Sequence, residues 1–173
     1  MKQLSFSVLL LAVILVTSSC KKVVQSNWSD SKISFKIDGV TKEAKGDQNV
    51  LAFHIKEQSM VQIIGNIGGS GTQQIGLTIA DFHGVGEYTA EEGEFLGSYS
   101  SPELGETVIG IEGTIKITEF TEGKSIKGEF QFKGQGLIVT PDADINPGEI
   151  RIFTEGKFEA KVSAYSGPII EPG

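Results

Sequence analysis

The chain has 173 residues, 15 basic against 22 acidic, a formal charge of −7 and one cysteine. Beyond Lys21-Lys22 it has no basic cluster, so the concentrated Lys and Arg that a phosphate backbone requires are missing and nucleic acid is excluded as an expected partner. A single cysteine allows no internal disulfide, so a folded domain must rely on core packing or on a metal.

After Met1-Lys2, Phe6 to Val16 is an apolar run of roughly ten residues, about half of what a membrane-crossing helix needs. It fits the basic start and short apolar stretch of a secretory signal. The segment Val16-Thr17-Ser18-Ser19-Cys20 resembles a bacterial lipobox, in which cleavage precedes a cysteine whose thiol carries diacylglycerol. The expectation is a signal peptide over 1–19, a lipid anchor on Cys20 and the lipid bilayer as a partner; an ordinary signal with an incidental cysteine is the alternative. Lys21-Lys22 lacks the acidic residue that would hint at inner-membrane retention, which points to the outer membrane, facing either the periplasm or the medium. Removing residues 1–19 leaves 154 residues, the size of one domain.

Residues 20–32 are polar, without the periodicity of packed elements, and read as a tether in which Trp28 docks on the domain edge. From residue 33 the dominant period becomes two. Ile33, Phe35 and Ile37 form a half-buried strand ending in the turn signal Asp38-Gly39. Leu51, Phe53 and Ile55 predict the inward face of the next strand, with His54 on its solvated side, and Val61, Ile63 and Ile67 complete a second hairpin. Gly68-Gly69-Ser70-Gly71 is a loop, and Ile75, Leu77 and Ile79 are a further strand. Residues 81–106 are glycine-rich and weaker in pattern, with Tyr88, Phe95 and Tyr99 as packing points. Ile109, Ile111, Ile115 and Ile117 then predict one buried face. A turn at Thr121-Glu122-Gly123-Lys124 leads to Ile126, Phe130 and Phe132. A loop over Pro141 to Gly148 precedes Ile150, Ile152, Phe158, Ala160 and Val162, and 166–173 reads as a flexible tail.

No stretch has helical periodicity, so residues 33–165 predict a single all-β domain of roughly eight to ten strands. Clean alternation marks antiparallel sheets with one wet face. A β-sandwich is expected, with a closed, lipocalin-like β-barrel as the alternative.

The order of Phe35-Lys36-Ile37-Asp38-Gly39, Gly86-Glu87-Tyr88, Gly113-Thr114-Ile115-Lys116-Ile117-Thr118, Ile126-Lys127-Gly128-Glu129-Phe130-Gln131-Phe132 and Glu155-Gly156-Lys157-Phe158 resembles a family of Bacteroidota lipoproteins classed as a domain of unknown function. The resemblance covers most of residues 33–162. It implies export and an all-β fold, and carries no known activity.

The catalytic inventory is thin: two histidines, no cysteine after residue 20, and neither a Gly-x-Ser-x-Gly elbow nor an HExxH pair. A hydrolase is therefore the minor expectation. The adjacent Glu91-Glu92 does not fix the carboxyl separation that glycoside hydrolysis needs. A small-ligand or carbohydrate-binding module would use the 81–106 segment, with Tyr88, Phe95, Tyr99 and the loop residue His83 as a possible groove. Asp142, Asp144, Asn146 and Glu149 imitate the start of an EF-hand loop, but Pro147 takes the place of the turn glycine and Phe153 that of the bidentate glutamate, so calcium binding is expected to be weak or nil. The expected role is a membrane-anchored, non-catalytic binding or structural domain of the cell envelope, without a cofactor, whose partner is an envelope protein or glycan.

Overall fold

The structure, a computed structural model, describes residues 31–68, 72–139, 142 and 144–164. The expected signal peptide, Cys20, Trp28, residues 69–71, Pro141, Ala143 and the tail from residue 165 lie outside the described residues. The fold is all-β. Ten strands follow one another as β1 (Lys32–Ile37), β2 (Val40–Lys45), β3 (Val50–Ile55), β4 (Met60–Ile67), β5 (Gln73–Ile79), β6 (Gly86–Thr89), β7 (Phe95–Ser101), β8 (Glu106–Thr121), β9 (Ser125–Val139) and β10 (Ile145–Ala164). One 3₁₀ turn, Lys56–Gln58, joins β3 to β4. Among the described residues no helix is long and apolar enough to cross a membrane.

All ten strands belong to one hydrogen-bonded sheet. Its pairs are antiparallel except β3 with β10, which run parallel over Ala52–His54 and Val162–Ala164. That pairing closes a circuit from β3 through β4, β5, β7, β8, β9 and β10 back to β3. β1 occupies the rest of the same edge of β10, β2 flanks β1, and β6 flanks the second half of β8. The antiparallel sheet thus curls around one core and closes on itself through three residue pairs.

The local sequence explains most of this. Asp38 and Gly39 both adopt positive φ, 48° and 84°, the two-residue turn whose twist matches a β1–β2 hairpin. On β9, Ile126, Phe130 and Phe132 are buried while Glu129, Gln131 and Lys133 face solvent. Ile115 pairs with Phe130 and both are buried, as the alternation requires. The Phe132 and Phe153 rings stack at a centroid distance of 4.0 Å, and Phe35 packs edge-on against Tyr99. Phe132 also lies on Gly97, where a Cβ would stand 2.7 Å from the ring. Each ring removed from water contributes on the order of 2 to 3 kcal/mol.

Three strands depart from the expected faces. On β3, Val50 and Ala52 are buried and His54 shares their side, whereas Leu51, Phe53 and Ile55 are half-buried on the other. The four-residue connection from Ile55 to Met60 pairs His54 with Val61 and Ala52 with Ile63, so the inward face of β4 fixes that of β3. On β8, a bulge between Gly110 and Glu112 shifts the alternation by one residue. Val108, Ile115 and Ile117 are therefore buried, Ile109 is half-buried and Ile111 is 55% exposed. On β10, an irregularity between Phe153 and Gly156, with Glu155 at φ 53°, does the same. Phe153, Phe158, Ala160 and Val162 point inward, while Ile150 and Ile152 are exposed. The expected loop before Ile150 is also largely strand, since Ile145 to Pro147 pair with Val139 to Leu137.

Candidate functional site

β8 starts with a carboxylate on its buried side. Glu106 precedes the buried Val108 by two residues, and its side chain is only 3% exposed. A buried carboxylate must be paired, and Arg151 of β10 supplies the partner, its Nε donating to Glu106 Oε1 at 2.7 Å. The two strands are separated by β9, and the side chains meet because β9 presents Gly136 between them. A Cβ on Gly136 or on Gly148 would collide with Glu106 Oε2. The same guanidinium reaches Asp38 Oδ2 at 3.1 Å and Glu149 Oε2 at 3.0 Å through Nη1. Its hydrogen bond to Glu106 pushes the Arg151 pKa above its already high ordinary value, and an arginine is charged at any working pH.

Beside this pair opens a cleft of about 340 Å³, framed by the β1–β2 turn, the start of the β7–β8 turn and Arg151. Its apolar surface comes from Ile37, Val40, Leu104 and Tyr99. Lys42 stands on the face of β2 that also carries Val40 and the buried Ala44, paired opposite the buried Phe35. Alternation would place an apolar residue there. Its Nζ donates to Gln73 Oε1 at 3.1 Å, and the Tyr99 hydroxyl donates to the same oxygen at 3.0 Å. Burial pushes the Tyr99 hydroxyl pKa up, so it stays a donor at neutral pH. Glu103 lies 3.6 Å from Lys42, beyond direct hydrogen bonding, with its side chain 69% exposed against 23% for Lys42.

The residues singled out from the sequence are scattered across this fold. Tyr88, Phe95 and Tyr99, expected as a possible groove, are at most 3% exposed and belong to the core, because β6 and β7 alternate inward at those positions. Of these three, Tyr99 also lines the cleft. His83 is exposed in the loop before β6, where its backbone N–H donates to the Tyr88 hydroxyl and that hydroxyl donates to Gly84 O at 2.8 Å. His54, expected in solvent, is half-buried between Phe82 and Phe120, with ring centroids at 5.5 and 5.4 Å. Its Nδ1 is buried without a hydrogen-bond partner among the described residues.

Asp142, Asp144 and Asn146 are exposed around the β9–β10 connection, and Glu149 turns to Arg151. No group of three or more His, Cys, Asp or Glu side chains among the described residues is placed to hold a metal ion.

Arg151 and Lys42 were missed from sequence, although a signal existed for the first: it is the only arginine in the chain. A planar, permanently charged fork suits a buried carboxylate better than a lysine does. No family model, curated protein or solved structure matches this chain.

Proposed function

We propose that this protein is a lipid-anchored, non-catalytic binding domain of the bacterial cell envelope, held at the outer membrane through Cys20. The observation that carries this reading is the placement of the cleft relative to the expected tether. Ser31, where the described chain begins, is bound to Asp47 and to Lys161 near the end of β10. The cleft lies toward the other end of that strand, at Arg151. From the position of Lys161 back to Arg151 is roughly 30 Å of strand at about 3.3 Å per residue. A tether joined at Ser31 would thus attach at the end of the domain remote from the cleft.

Two further features support a binding role over catalysis. His54 and His83 lie at the end remote from the cleft, so neither shares it with the Glu106–Arg151 pair. The interior around Phe132 is filled by aromatic rings seated on glycines, which favours recognition at the surface. The lipobox-like segment Val16-Thr17-Ser18-Ser19-Cys20 supports the anchor. Mass spectrometry of the mature N-terminus should find diacylglycerol on Cys20, and Cys20→Ala should move the protein from the membrane to the soluble fraction. An unmodified cysteine, or unchanged fractionation of the variant, would sink the anchor.

A further inference from the structure

We infer that the cleft between β2 and the β7–β8 turn binds a small organic carboxylate with an aliphatic body, its carboxylate seated on Lys42. The inference deepens the binding-domain reading and rests on it.

Three observations converge on Lys42. First, a half-buried lysine on an edge strand lies between the exposed Val40 and the buried Ala44 of the same face, and its side chain is less exposed than that of its acidic neighbour Glu103. Second, an ammonium has three N–H donors; Gln73 takes one, and Glu103 at 3.6 Å is too far to take a second directly. The third is the shape of the space in front of it. A volume of about 340 Å³ is at the small end of ligand sites, and Val40, Leu104 and Ile37 supply apolar walls.

Charge order within the cleft selects the ligand. Arg151 is already engaged by Glu106, Asp38 and Glu149, so its guanidinium is neutralised from within the protein. Lys42 is the cation whose nearest carboxylate stands on an exposed turn and can move aside into water. A ligand carboxylate would replace Glu103 at Lys42 and place its chain along Leu104 and Val40. A cationic ligand would instead meet Lys42 at the deeper wall. An inward lysine on an edge strand can also serve solely to block pairing with another chain; that role predicts no ligand.

The test uses the full chain with Cys20→Ser, which removes acyl chains that would compete for an aliphatic probe. Sodium hexanoate, hexanamide and hexylammonium chloride are titrated while backbone and methyl resonances are followed. Hexanoate should shift Val40, Lys42 and Leu104, and bind more tightly than the other two. Lys42→Gln should weaken hexanoate about tenfold, the loss of one charge-assisted hydrogen bond, without changing hexanamide. Glu103→Gln, at an exposed turn, should strengthen hexanoate by removing its competitor. Equal binding of acid and amide, preference for the amine, no shifts at Lys42, or hexanoate affinity indifferent to both variants would each overturn the inference. The acylation state of Cys20 is measured separately, so loss of this ligand would leave the anchored-domain reading standing.

Discussion

The two ends of the molecule are fastened by charges in opposite ways. At the end where the described chain begins, Asp47 accepts hydrogen bonds from Lys161 and Ser31, and Lys56 pairs with Glu122 on the surface. These pairs stand in water, and at the same end His54, Phe82 and Phe120 pack ring against ring. At the other end a single carboxylate, Glu106, is withdrawn from water and one arginine answers it. Surface pairs contribute little because solvent screens them and long side chains lose freedom. A buried pair is costly to create and costlier to break, because the survivor has no water to turn to. Charge closes the cleft end, whereas rings close the other and charge only decorates it.

The strongest way to break the contrast is Arg151→Met, which leaves Glu106 buried without its cation. It should lower stability by about 3 to 5 kcal/mol in urea denaturation. The double variant Glu106→Leu with Arg151→Met removes both charges and should recover most of that loss; no recovery would mean that the pair holds the fold through something other than mutual neutralisation. At the opposite end, His54→Phe exchanges a ring with an unpartnered nitrogen for an apolar one between Phe82 and Phe120. A gain of about 1 kcal/mol in the same assay is expected, in line with the cost of an unsatisfied buried polar group. A loss would show that His54 does more than fill the space between those rings.

The smallest effect belongs to Asp47. Hydrogen bonds from Lys161 and Ser31 hold its carboxyl down at about 2, below the ordinary 3.8. Its folded-state pKa is depressed, so its contribution is complete above the ordinary value and is lost as pH falls from there through about 2. The group is exposed, and solvent screening limits the contribution to under about 1 kcal/mol. Asp47→Asn should therefore lower neutral stability by under about 1 kcal/mol, a difference that fades as pH falls from 3.8 toward about 2 and flattens the acid limb, while added salt should shrink it. An equal response to salt in the Arg151 and Asp47 variants would erase the distinction between the two ends.

How far this was legible in the sequence depended on whether alternation ran uninterrupted. Along Ile126 to Phe132 every second residue is polar, and the buried face follows directly. In Val50-Leu51-Ala52-Phe53-His54-Ile55 nearly every position is apolar, so period two cannot choose a side. The pairing with β4 chooses it, and bulky Phe53 goes outward. In β8 and β10 the bulges were set by neighbouring strands, although Gly110 and Gly113 around Ile111 were local hints. The cleft was harder still. Thr41-Lys42-Glu43 has no strand-like pattern of its own, and Lys42 turns inward only because β2 copies the register of β1. Glu106 and Arg151 are 45 residues apart, and only the β8–β9–β10 arrangement makes them partners. Of the residues named in advance, Tyr99 reached the cleft because a packing position also carried a hydroxyl.

The last strand has a consequence for the order in which this chain assembles. β10 is 20 residues long and pairs with β9, β1 and β3, so the first and last strands among the described residues are direct neighbours. A chain made from its N-terminus leaves β1 and β3 with open hydrogen-bonding edges until β10 arrives. Contacts between such distant parts of a chain are slow to form, on the order of milliseconds to seconds in β proteins. Open edges over that interval invite pairing with other chains. Losing the end of β10 would thus resemble an interrupted synthesis: Ser31 would lose its bond to Lys161, and β3 the partner that closes the sheet.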